Sequence, residues 1–140
     1  MAGHQHKSII SQDTETSFLV FHQNIRGLLN KAEELISSLS PDFLQVPCLT
    51  EQHLRYFEID FVYMDQYKLG AKFCRESHKS GGVSNFVHDT LQCMNINLDE
   101  FCKEQDIEAC AVKINLLFQL FALYVSIYHQ QEIFYIFYIA

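Results

Sequence analysis

Two short apolar runs on either side of one helical segment constrain this chain most. Phe18–His22 is a continuous apolar stretch of the kind buried on both faces of a sheet. Behind it, Ala32, Leu35, Ile36 and Leu39 recur at helical spacing within residues 30–39. Ser40-Pro41-Asp42 stops that helix, because proline disfavours the helical conformation in the residue before it, and Phe43–Leu49 returns as a second strand. A strand-helix-strand order with a right-handed crossover sets the two strands parallel in one sheet.

The rest of the chain extends an α/β reading. Tyr67–Phe73 and Val83–Val87 are strand-like runs flanking a polar stretch that ends in Ser80-Gly81-Gly82, which predicts a long hairpin. Ile107–Ile114 and Leu120–Tyr128 form a second pair of runs, joined by a span without Gly, Pro or Asp, so that turn is poorly specified. With 140 residues, 49% hydrophobic and 19% charged, there is enough apolar material for one core. The expected organisation is a polar, flexible leader at 1–17, one α/β domain at 18–129, and an apolar tail at 130–140. That tail ends in Ile-Phe-Tyr-Ile-Phe-Tyr-Ile-Ala, the composition of an aggregation-prone edge segment.

Composition removes several function classes. A net charge of −7 argues against a generally basic nucleic-acid coat, although local basic patches can still bind phosphate. The five cysteines, Cys48, Cys74, Cys93, Cys102 and Cys110, are odd in number and scattered. They read as reduced, buried residues, so no disulfide-linked partner and an intracellular location are expected, with nucleus and cytoplasm left open. The apolar stretch at 114–128 is shorter than the ~20 residues that span a bilayer and is interrupted by Asn115 and Gln119, so no membrane partner is expected.

Open α/β sheets place ligands at the carboxyl ends of their strands. Asn24 ends the first strand and Thr50-Glu51 ends the second, so a carboxamide and a carboxylate would stand on neighbouring strand ends. Mg²⁺ takes hard oxygen ligands, keeps several waters and is bound through one or two carboxylates plus substrate phosphate, which makes Asn24 with Glu51 a sensible start to a site. The other reading is that Asn24 caps a turn and Glu51 the next helix, and spacing alone favours that one over a metal site. Lys68, Lys72, Arg75 and Lys79 stand against Glu76 alone in an otherwise acidic chain, either as a hairpin that contacts the DNA backbone or as a solvated loop. His53, His78 and His88 have no partner suggested by the sequence and read as surface or packing residues.

Six segments occur in an order that resembles a known family: Phe-His-Gln-Asn-Ile-Arg-Gly-Leu-Leu-Asn-Lys from 21, Cys-Leu-Thr-Glu-Gln-His-Leu from 48, Tyr-Lys-Leu-Gly-Ala-Lys-Phe-Cys-Arg-Glu-Ser from 67, Gly-Gly-Val-Ser-Asn-Phe-Val-His from 81, Asp-Ile-Glu-Ala-Cys-Ala-Val-Lys-Ile-Asn from 106, and Val-Ser-Ile-Tyr-His from 125. Together they resemble the first part of an endonuclease/exonuclease/phosphatase domain, and are most similar to the apurinic-endonuclease-like domain of non-LTR retrotransposons. The resemblance implies a four-layer α/β sandwich with two facing sheets and a Mg²⁺-dependent phosphodiesterase that nicks DNA. It implies that Asn24 and Glu51 help to build the metal site and that Tyr128 lies near the scissile phosphate. His129 stands where the family has arginine, replacing a permanent guanidinium fork by a mostly neutral ring.

Against the family pattern, no Gly-Asp-x-Asn segment and no Ser-Asp-His segment occurs in the 140 residues. The expectation is therefore a partial sandwich with its C-terminal half missing, its second sheet largely absent, weak or vestigial DNA binding, and little or no nuclease activity. Pro47 in the second strand and Ser84-Asn85 in a buried strand would erode the same core. The rival expectation is a non-catalytic α/β fragment acting as an interaction module.

Overall fold

Strand pairing, rather than helix packing, organises the chain. The computed structural model describes the backbone of residues 5–12, 16–39, 44–78, 80–116, 119–128 and 131–139, and the side chains of residues 20–39, 46–78 and 80–115. The first sheet contains β1 (Gln5–Gln12), β2 (Thr16–Asn24), β3 (Leu44–Thr50), β4 (Tyr67–Phe73) and β5 (Val83–His88), in the order β1-β2-β3-β5-β4. A second sheet is the antiparallel series β6 (Gln92–Ile96), β7 (Ile107–Leu116), β8 (Gln119–Tyr128) and β9 (Gln131–Ile139). The fold is mixed α/β with little helix among the described residues: α1 (Ala32–Ser38) and the single turn α2 (Tyr56–Ile59).

β2 and β3 pair in parallel, with Asn24 opposite Thr50, and α1 makes the connection between them. Glu33 and Glu34 in the first turn of α1 complement the positive end of its dipole, and Leu35 is buried. The Glu58 carboxylate accepts the Arg55 N–H at 3.0 Å and so satisfies a donor that the first turn of α2 would otherwise leave open. β4 and β5 form the hairpin expected from the Gly81-Gly82 stretch, with a bulge between Leu69 and Ala71. β7 and β8 pair from Ile107 opposite Tyr128 to Leu116 opposite Gln119; the connection at 117–118 lies outside the described residues, as does Ser40-Pro41-Asp42.

The two sheets pack face to face, β4 and β5 against β7, and β3 and β5 against β8. Val20, Val46, Cys48, Val83 and Val87 of the first sheet meet Cys110, Val112 and Ile114 of β7 in one core cluster. Phe21, Leu49 and Phe86 alternate to the opposite face and pack with Leu28, Leu35, Ile59 and Met64 beneath the helices. Strand alternation thus produces two cores on the two sides of one sheet.

Three expectations change. The second sheet, expected to be largely absent, is present as four strands and covers the inner face of the first. Gln5–Gln12, inside the segment expected as a flexible leader, is an edge strand antiparallel to β2, and Gln131–Ile139 of the apolar tail is the edge strand beside β8. Pro47 lies in a central strand, yet the β3–β5 ladder runs only from Thr50 to Cys48. The proline therefore falls just where β3 has lost one neighbour, and its missing N–H breaks no bond to β5.

Candidate metal site at the ends of two parallel strands

Because β2 and β3 are parallel, both end at the same edge of the sheet, and their pairing continues past the last strand residues. Ile25 N–H donates to Thr50 O at 3.0 Å, Gly27 N–H to Glu51 O at 2.9 Å and Leu28 N–H to Gln52 O at 2.9 Å. At this locked edge the Asn24 amide Nδ2 donates to Glu51 Oε2, so the two sequence candidates meet. Asn24 is partly buried, and the Glu51 side chain keeps 36% exposure, leaving its carboxylate open to a ligand.

The turn that carries Glu51 is strained and anchored. Glu51 and His53 have φ of +53° and +63°, left-handed values that cost a non-glycine residue roughly 1–2 kcal/mol each. Between them the Gln52 side chain is fully buried and donates through Nε2 to Phe73 O and to Cys74 Sγ, both at 3.2 Å. Its Oε1 has no hydrogen-bond partner among the described residues. His53 N–H donates to Gly81 O at 2.9 Å, which ties the turn to the Gly81-Gly82 loop. His53 Nε2 lies 3.8 Å from Glu51 Oε1. Burial holds the His53 ring below its ordinary pKa against the pull of the Glu51 charge.

A polar layer leads inward from this edge. His22 and Thr50 follow the alternation of Val20, Val46 and Cys48 toward the second sheet, and the His22 ring Nε2 is 3.3 Å from Thr50 Oγ1. Asn85 alternates with Val83 and Val87 toward the same side and is fully buried. One level away, the fully buried Glu108 of β7 bonds across both sheets. Its Oε1 accepts Gly82 N–H at 2.9 Å, and its Oε2 meets Arg75 Nε at 2.5 Å and accepts Gln105 N–H at 2.7 Å.

The basic candidates are each held by the protein where their side chains are described. Lys68 Nζ donates to Leu91 O at 2.7 Å, Lys72 Nζ is 2.5 Å from Asp60 Oδ1 and lies over the Tyr56 ring, and Arg75 binds Glu108. Lys79 and His129 lie outside the described residues. Tyr128 is the last residue of β8, opposite Ile107; the neighbouring Glu108 reaches the Gly82 loop, so the backbone register places residue 128 at the same end of the sandwich as Glu51. Its side chain lies outside the described residues. His78 Nδ1 contacts Glu104 at 3.1 Å in the connection that runs into Gly81-Gly82, and His88 Nδ1 contacts Thr90 Oγ1 at 2.8 Å at the opposite end of β5.

Asn24 and Glu51 supply one carboxamide and one carboxylate, hard donors that fit the small protein share of a Mg²⁺ site. They do not suit zinc, which takes three or four His, Cys or carboxylate ligands, and no such group of three converges among the described residues. No disulfide joins the described cysteines, and no helix of the described residues is long and apolar enough to cross a membrane. Compared with protein-family models, curated proteins and solved structures, the chain has no match.

Sequence reasoning missed Gln52, Asn85 and the Arg75–Glu108 pair as parts of this edge. For Glu108 a signal existed: a lone carboxylate in the apolar run Ile107–Ile114 has to find a partner if the strand is buried.

Proposed function

We propose that the chain binds Mg²⁺ through Asn24 and Glu51 and shares its ancestry with Mg²⁺-dependent phosphodiesterases that nick DNA. The observation that carries this reading is the meeting of Asn24 and a solvent-open Glu51 at the shared carboxyl edge of two parallel strands. Mg²⁺ bound there would supply charge neutralisation at a phosphodiester oxygen. Glu51 and Asn24 would hold the cation at this edge, and the His53 ring would stand beside the Glu51 carboxylate. Turnover is expected to be very low, since the family's Gly-Asp-x-Asn and Ser-Asp-His groups have no counterpart in the sequence and losing one member of a cooperating set costs orders of magnitude.

A second reading, a non-catalytic interaction module, is favoured by the state of the basic residues. Lys72 and Arg75 are paired within the protein and leave no row of free cations for a DNA backbone among those described. Titration with Mn²⁺ as a paramagnetic substitute, run beside plasmid nicking in Mg²⁺ with a chelator control, separates the two. The metal reading requires saturable Mn²⁺ binding that Glu51→Gln removes. Absence of any Glu51-dependent binding would leave the interaction module. Nicking that needs both Mg²⁺ and Glu51 would show that this half-site suffices for catalysis.

A further inference from the structure

The Arg75–Glu108 ion pair stands behind the Gly81-Gly82 loop, and backbone bonds connect that loop to the Glu51 turn. His53 N–H is held by Gly81 O, and Gly82 N–H is held by Glu108 Oε1. The Arg75 guanidinium packs so closely on Gly81 that a Cβ there would come within 2.1 Å of its Cζ. On the other flank, Gln52 packs on Gly82, where a Cβ would meet Gln52 Nε2 at 2.8 Å. The loop is thereby gripped between Glu108 and Arg75 on one side and the residues that flank Glu51 on the other.

We infer that Glu108 is a positioning residue for Glu51, acting through Gly82, Gly81 and His53. This rests on the metal reading of Glu51. Three features support a positioning role over simple core filling. A carboxylate in an apolar strand is costly to bury, and a well-packed apolar residue at that position would serve stability as well or better. Glu108 spends both oxygens on three separate donors, two of them loop N–H groups, so it fixes backbone rather than volume. The turn it secures holds two non-glycine residues at positive φ, a conformation that persists only when its surroundings over-determine it.

The test uses the full chain with Glu108→Gln, which preserves shape but removes the charge, and with Glu108→Gln/Arg75→Gln, which also removes the cation left behind and so keeps the core free of an unpaired charge. Two readouts are taken: amide hydrogen exchange at His53 relative to core amides such as Val46, and Mn²⁺ affinity. The expected result is selective acceleration at His53 with Val46 unchanged, together with an affinity loss of about 10- to 100-fold, the range for groups that orient metal ligands. Equal acceleration at both amides, no acceleration, or unchanged Mn²⁺ affinity in either folded variant overturns the inference. If the unaltered chain binds no Mn²⁺, the metal reading fails separately, and selective exchange at His53 still decides whether Glu108 holds the turn.

Discussion

Replacing Gly82 by alanine tests the packing behind the candidate site with two distinct penalties. Gly82 has φ of +84°, where an L side chain costs roughly 1–2 kcal/mol. Its Cβ would also lie 2.8 Å from Gln52 Nε2 and 3.1 Å from both Gln52 Cγ and Phe73 O. Crowding a packed interior in this way costs about 1–3 kcal/mol. Gly82→Ala should therefore lower stability by about 2–5 kcal/mol, which at a urea m-value of ~2 kcal/mol per molar moves the midpoint down by about 1–2.5 M. Equilibrium urea unfolding followed by tyrosine fluorescence and circular dichroism measures this directly. Repeating the substitution in a Gln52→Ala background separates the parts, because the truncated side chain no longer blocks the Cβ while the φ penalty stays. The cost should fall by about 1–2 kcal/mol in that background. A Gly82→Ala cost below about 1 kcal/mol, or one identical in both backgrounds, would refute the claim that Gln52 and Gly82 interlock.

Arg75→Met leaves the fully buried Glu108 without its counter-charge and should destabilise the chain by about 3–5 kcal/mol, while Arg75→Met/Glu108→Leu should recover most of that loss in the same urea assay. Glu104 supplies a pH dependence. Burial pushes its carboxyl up, but bonds from the His78 ring and from the backbone N–H groups of Glu76, Ser77 and His78 outweigh this and bring it down to about 2. A folded value below the ordinary 4.5 means that this stabilisation is fully present above that pH and is lost as pH falls toward about 2. The stability gap between the unaltered chain and Glu104→Gln, of the ~0–1 kcal/mol size of surface pairs, should hold at pH 7 and close between pH 4 and pH 2; a gap that persists at pH 2 contradicts the assignment.

The strands with strong local signals were legible in sequence. β2, β3, the β4–β5 hairpin and the β7–β8 pair all follow apolar runs and turn residues, and the parallel pairing of β2 with β3 follows from the intervening helix. Their parallel register also made the meeting of Asn24 and Glu51 readable in advance. β1 was not legible because Gln5–Gln12 is mostly polar and becomes a strand only through β2 beside it. The short β6 was not read either, and its residues gain a strand conformation from pairing with β7. Glu108 and Arg75 are 33 residues apart, and nothing local to either specifies the other. Gln52 looks like an ordinary surface residue until the positive φ of its neighbours turns its side chain into the core.

The division of the inter-sheet core between early and late parts of the chain has a consequence for synthesis. Val20, Val46, Cys48, Val83 and Val87 are all made before any residue of β7, yet Cys110, Val112 and Ile114 are what cover them. At about 5–20 residues per second, the strands of the first sheet are complete roughly 1–5 s before Ile114 is added. Until β7 joins them, those valines are an apolar face of the growing chain without its cover. Pauses in translation between Leu91 and Ile114 would lengthen the exposure, so the yield of folded protein depends on elongation speed through this segment as well as on its final stability.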